Sequence, residues 1–141
     1  MLDDATKQQV LSSALRLRLA SSALTLDFYN RLFDRAPELR AMFPADVTAQ
    51  ADKLFDMVLV LVQSLDQLQM LGPEIEALGA RHLHYDVTED QYALVCEVLL
   101  DTLAQHVADW SEADRNAWSV LLNHVCDLMI TGARNHASSA A

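Results

Sequence analysis

The stretch RHLHYDVTEDQY, residues 81–92, holds a helix end, a turn and a helix start, and it carries two histidines two positions apart. The helix that enters it opens at Pro73, because proline suits a first helical turn. Ile75 and Leu78 form its apolar stripe, and His82 continues that stripe at offsets of three and seven from Ile75. His84 lies two residues on, about 200° around a helix of 3.6 residues per turn, so it is expected at the surface. TEDQ, residues 88–91, is a capping box: the Thr88 hydroxyl takes a backbone N–H three residues on while Gln91 reaches back. It starts a helix predicted to run to about Val107. One inward histidine, at a helix end and just before another helix start, therefore organises the reading of the chain.

Working outward, the same 3.6-residue periodicity recurs nearly everywhere. Residues 3 to about 20 carry Val10, Leu11, Ala14 and Leu17 at helical spacing. A second helix from about Ser21 aligns Leu26, Tyr29, Leu32, Phe33 and Ala36. Pro37 opens a short turn, PELRAMF, and Pro44 ends it before a loop over 44–50. The most apolar helix is predicted from about Ala49 to Leu68, with Gly72-Pro73 as its break. Between Leu54 and Val62 only Asp56 is polar, so cover is expected on most sides. SEAD, residues 111–114, resembles a second capping box with Asp in place of Glu or Gln, ahead of a last helix to about Thr131. Seven or so helices and no strand follow: an all-α chain.

Composition agrees. The 141 residues make one domain, long enough to bury roughly 68–70% of the surface its unfolded chain exposes. Three glycines and three prolines are too few for the turns of a β-sandwich or barrel. A formal charge of -10 argues against nucleic acid and against an anionic membrane as partners. Only two of the ten basic residues are lysines, Lys7 and Lys53. The opening MLDDATKQQ lacks the basic-then-apolar order of a secretory signal. The longest apolar run, 57–62, is far short of the roughly 20 residues of a membrane span. Cys96 and Cys126, without CxxC spacing and inside apolar patterns, read as reduced core thiols of a cytoplasmic protein.

A lone inward histidine is ordinarily a core side chain with a hydrogen-bond partner, and that alternative stays open for His82. No other histidine or cysteine stands at ligand spacing, so a four-ligand zinc site has little support. A cofactor that brings its own equatorial ligands, such as haem, needs one axial imidazole.

The ordered segments FYNRLF (28–33), APELRAMF (36–43), AQADKL (49–54), RHLHYDVTEDQY (81–92) and ADRNAW (113–118) resemble bacterial haemoglobins. The similarity is to single-domain globins and the globin half of flavohaemoglobins, and it spans about residues 2–131. It implies a globin fold of seven to eight helices crossing near 50° around a haem pocket. Residues 1–131 would form the globin domain and 132–141 a flexible C-terminal tail. Haem b (iron protoporphyrin IX) is the implied cofactor, with His82 as the axial ligand to iron.

On the distal side the resemblance makes Tyr29 and Gln50 the catalytic pair, donors to a gas ligand carrying partial negative charge. A one-residue slip would bring Ala51 to the position of Gln50. Phe43 would wedge against the haem face and Leu54 crowd the ligand, with Lys53 and Arg81 near the propionates. Val87 and Tyr92 complete the implied cofactor contacts. In flavohaemoglobins the tyrosine acts with a glutamate late in the last helix. Residues 130–133 hold no carboxylate, Asp127 being the nearest, so a bond from His82 to a carbonyl of its own preceding turn is the expected proximal support.

The function implied is binding of dioxygen, nitric oxide and carbon monoxide, with nitric oxide dioxygenase activity. The sequence carries no GxGxxG loop, so a separate reductase is the expected electron donor. Two readings from other classes stand beside it: a dioxygen store or carrier without turnover, and a haem-free interaction module of the same fold. Retention of His82, Tyr29 and Gln50 argues against the module.

Overall fold

In the computed structural model the described residues are 2–18, 21–82 and 87–140, the last four by backbone alone. Six α-helices and two 3-10 helices account for nearly all of them: α1 (Asp4–Ala14), α2 (Ser22–Arg35), a 3-10 helix (Pro37–Met42), α3 (Thr48–Gln63), a 3-10 helix (Leu65–Leu71), α4 (Gly72–His82), α5 (Glu89–His106) and α6 (Glu112–Ala140). No strand occurs among the described residues. Leu17 and Val107 form an isolated antiparallel bridge.

Helix starts are set by local side-chain chemistry. Asp3 caps α1 by accepting from the Thr6 N–H at 2.8 Å. The capping box at α5 is complete, with the Thr88 hydroxyl accepting from the Gln91 N–H and Gln91 Oε1 accepting from the Thr88 N–H at 2.9 Å. SEAD is a real box as well. Asp114 accepts from the Ser111 N–H at 3.0 Å, and the Asp114 N–H donates to the Ser111 hydroxyl at 3.3 Å.

Three expected helix ends move, each for a physical reason. The first helix stops at Ala14 rather than near residue 20, because residues 16–18 pair with 106–108. Arg18 N–H donates to the His106 carbonyl at 2.7 Å and Ala108 N–H to the Arg16 carbonyl at 2.9 Å. The long apolar helix ends at Gln63 and tightens into a 3-10 helix. Leu65 and Leu68 are buried and Leu71 half-buried there, and a three-residue spacing is the one that keeps a single 3-10 face inward. Nor is α3 covered on most sides, since Leu59 and Val60 are 39% and 46% exposed. The last helix passes Thr131 and continues to Ala140, so the sequence expected as a tail is helical.

That extension has a cause in packing. α4 lies against α6, and two glycines mark the crossing. A Cβ added to Gly79 would overlap the Met129 backbone, and one added to Gly132 would overlap the backbone of Glu76. Backbones this close need residues without a Cβ on each side. Elsewhere α2 packs on α3 and α5, and α1 on α6. Trp118, Phe28, Leu24, Leu32, Leu103 and Leu121 fill the centre. The buried Trp118 Nε1 donates to Ser13 Oγ at 2.6 Å, and Ser13 Oγ to the Val10 carbonyl at 2.8 Å.

Asp114, fully buried, also accepts from Arg16 at 2.7 Å and Gln9 at 2.6 Å, tying α1 to the start of α6. Burial opposes its charge, but Arg16, Gln9 and the Ser111 N–H together hold its pKa at about 2, below the ordinary 3.8. A folded-state pKa below the unfolded one contributes stability above the unfolded value, lost as pH falls from about 4 to 2. Asp114→Asn is expected to cost about 2 kcal/mol at neutral pH and to flatten the acid limb of the stability curve over that window. Urea unfolding at stepped pH checks both.

Candidate functional site

Two groups of sequence-selected residues stand on separate supports. α2 carries Tyr29, which is buried. Its ring lies edge-on to Phe28 at 5.0 Å and to Phe43 at 5.4 Å, and Phe33 closes the cluster at 6.0 Å. The Arg40 guanidinium covers the Phe33 ring at 4.9 Å, a favourable contact for a cation over an aromatic face. Gln50 stands half-buried in the first turn of α3. Burial pushes the Tyr29 phenol up from its ordinary value, and a hydrogen bond with the Gln50 side chain pulls the other way. The phenol is therefore a protonated donor at neutral pH. Ala51, the position a one-residue slip would bring, is fully buried.

Thr25, one turn before Tyr29 and fully buried, holds this pair together. Its hydroxyl donates to the Ala51 carbonyl at 2.6 Å, one residue past Gln50, with the Ser22 carbonyl a second acceptor at 3.0 Å. The turn bearing Tyr29 is thus pinned to the turn bearing Gln50. Sequence reading missed this residue. Its signal is a threonine four residues before Tyr29 on an otherwise apolar stripe.

The second group is on α4 and α5. His82 ends α4, half-buried, with Nδ1 2.8 Å from the Leu78 carbonyl. A carbonyl only accepts, so Nδ1 donates to it, and Nε2 is the ring nitrogen that could ligate a metal. The expected support from the preceding turn is present. The Tyr92 ring lies 6.4 Å from the imidazole, tilted by 39°. Tyr92 is buried, and its hydroxyl has no hydrogen-bond partner among the described residues.

Between the groups, α3 packs on α2 and α4 on α6, so the two helices are held by different neighbours. Phe43, Leu54, Leu78 and Val87 pack against the core yet remain half-buried. Lys53 and Arg81 are exposed on α3 and α4. His84 lies outside the described residues. His106 bonds Asp27 at 2.7 Å, far in sequence from this lining, and His136 is exposed. Cys96 and Cys126 are unpaired thiols, the first buried and the second half-buried.

Among the described residues no three histidine, cysteine or carboxylate side chains converge on a metal-sized point. One oriented imidazole, half-buried apolar side chains and a hydrogen-bonded pair of buried Tyr29 and half-buried Gln50 are side-chain types that fit a planar apolar group bringing its own metal and equatorial ligands. They fit haem.

The comparisons with known proteins agree with this chemistry. The family model described as Globin matches residues 26–129. A flavohemoprotein of Pseudomonas aeruginosa is 27% identical over 99% of this chain, which spans 37% of that protein's length. An engineered carbene transferase, made from a protein described as a nitric oxide dioxygenase of Rhodothermus marinus, superposes with a TM-score of 0.86 at 28% identity, over the full length of both chains. A bacterial globin of Campylobacter jejuni shares the fold with a TM-score of 0.79 at 20% identity, over 94% of this chain and 97% of that one.

Proposed function

The chain belongs to the globin family, and from that premise we propose that it is a haem b protein that binds dioxygen, nitric oxide and carbon monoxide and turns nitric oxide over to nitrate. The observation that carries the reading is the pairing of a buried Tyr29–Gln50 donor set with an oriented imidazole at His82. Haem supplies the iron at which a diatomic gas binds and exchanges electrons.

The chain's own residues set what happens there. His82 presents Nε2, with the Leu78 carbonyl fixing the tautomer and the ring's rotation. Phe43, Leu54 and Val87 would exclude water from the cofactor, and Lys53 and Arg81 would answer its carboxylates. The Tyr29 O–H and the Gln50 N–H would donate to a bound gas ligand carrying partial negative charge. A phenol kept neutral by burial donates at any physiological pH.

Nitrate formation joins nitric oxide and dioxygen and consumes one electron, which a separate reductase supplies. The flavohemoprotein and the Rhodothermus protein lend the reading its direction. Two donors slow ligand release, which favours turnover over storage.

A Soret band that shifts with carbon monoxide after reduction, followed by nitric oxide consumption when a reductase is added, is the expected result. Gas binding without consumption would leave a carrier, and no Soret band after haem is supplied would reject the reading. Tyr29→Phe is expected to speed dioxygen release about tenfold or more, the worth of a hydrogen bond to a charged acceptor. Flash photolysis measures it, and an unchanged off-rate would remove Tyr29 from the ligand site.

A further inference from the structure

We infer that Cys96 and Cys126 form a dithiol site that hydroperoxides, hydrogen peroxide among them, oxidise to a disulfide joining α5 to α6. They are the chain's two cysteines, and both are free thiols. Neither has a part in the gas-binding reading.

Their placement follows from helix geometry. α5 packs on α6, and the Cys96 Sγ lies 3.9 Å from the Leu122 carbonyl of α6. Cys126 stands one turn after Leu122, and a helical side chain leans back over the turn N-terminal to it. The Cys126 sulfur therefore leans toward the place where the Cys96 sulfur rests. Burial pushes up the phenol of Tyr92, one turn before Cys96 on α5, and the Cys126 thiol adds to that effect. Cys126 thus faces the 92–96 turn from across the helix pair. A disulfide spans Cα atoms up to about 7 Å apart, and a thiol already against the neighbouring helix backbone has little of that span to make up.

The two sulfurs differ in character. The Cys126 S–H donates to Cys96 and lowers that thiol, while burial and the nearby Asp127 raise it. The same bond, together with burial, pushes the Cys126 thiol up. Cys96 therefore supplies the thiolate, the form that attacks a peroxide, and Cys126 keeps its proton until the second step. Cys126 is half-buried and Cys96 is 8% exposed, which favours a small oxidant over a bulky one.

In the first step the Cys96 thiolate attacks the hydroxyl-bearing oxygen of the hydroperoxide and the O–O bond breaks. The leaving oxygen takes up the proton that Cys96 had released, and Cys96 becomes a sulfenic acid. The Cys126 sulfur then attacks the Cys96 sulfur. The S–O bond breaks, and hydroxide leaves with the Cys126 proton as water. Each sulfur gives up one electron to the peroxide oxygens. Two thiols and one hydroperoxide become one disulfide, one alcohol (water, for hydrogen peroxide) and one water.

The test is exposure of the purified, fully reduced chain to hydrogen peroxide, with any haem kept ferrous under carbon monoxide. Loss of both thiols is expected, with an intact mass lower by two hydrogens and a digest in which the peptides of Cys96 and Cys126 are joined. Dithiothreitol should reverse all three changes, and the rate should not depend on protein concentration. Cys126→Ala should abolish the bridge and stop Cys96 at the sulfenic acid, which dimedone traps. Thiols that survive peroxide in the folded chain yet react once urea unfolds it would overturn the site. So would a bridge formed only between two copies, or oxidation of one cysteine with the other left as a thiol. Those outcomes are read on the unaltered chain, so they do not depend on the variant folding. The readout is sulfur chemistry, and the site stands or falls independently of the gas-binding reading.

Discussion

His82→Ala is expected to leave a helical protein that no longer retains haem. Among the described residues of the site, His82 is the one imidazole. Among the described residues no cluster of histidines, cysteines or carboxylates offers a substitute metal site. Losing a partner that merely orients a metal ligand costs 10–100-fold in affinity, and losing the ligand itself should exceed that. The fold should survive, because His82 is half-buried at the last residue of α4 while the helix is anchored by Ile75 and Gly79. The measurement is haem transfer to a scavenging apoprotein, followed at the Soret band, with far-ultraviolet circular dichroism as the control for folding. Free imidazole added to the variant should restore part of the band by entering the space the side chain left. Retention equal to that of the unaltered protein would exclude His82 as the axial ligand.

Position 82 was legible in the sequence because its information is local. A stripe at offsets of three and seven, a proline start and a capping box, all between Pro73 and Gln91, place one histidine at a helix end. The box at 88–91 and its Asp-bearing counterpart at 111–114 both exist as drawn, since a cap is a contact between a side chain and a backbone three residues away. Features that depend on distant parts of the chain were not legible. The end of α1 is decided by pairing with residues 106–108, about 90 positions on. The switch from α to 3-10 winding after Gln63 preserves apolar continuity and so leaves no mark in the hydrophobic pattern. Thr25 looks like any threonine until the Ala51 carbonyl is seen 2.6 Å from its hydroxyl. Gly132 reads as the start of a tail by composition, whereas its lack of a side chain serves a neighbour, Glu76, that is remote in sequence.

That last misreading leads to the second large effect. Gly79→Ala, the addition of a single methyl group, is expected to destabilise the protein by about 4–5 kcal/mol or more, which places it among the most damaging single substitutions. In an exposed helix the same change is mildly stabilising, because alanine restricts the unfolded chain. At Gly79 the new Cβ would overlap the carbonyl and Cα of Met129. Backbone atoms cannot rotate aside as a flexible side chain can, so α4 must move away from α6 as a body. Separating them opens the crossing at which Gly132 meets Glu76 and uncovers Ile75 and Met129. Gly72→Ala is the matched control. That glycine has helical dihedrals, φ -48 and ψ -54, and outside its chain neighbours nothing lies within 4 Å of the methyl it would gain, so its one steric cost is local, against the ring of Pro73. The restriction alanine places on the unfolded chain and the contact with the Pro73 ring oppose each other there, so the change should stay far below that at Gly79. The comparison also separates fold from function, because α4 carries His82 at its end. Should the crossing hold the axial histidine in place, Gly79→Ala loses haem at denaturant concentrations where the helical signal is still intact, and Gly72→Ala does not. Equal urea midpoints for the two variants would mean that the α4–α6 contact is looser than the paired glycines make it.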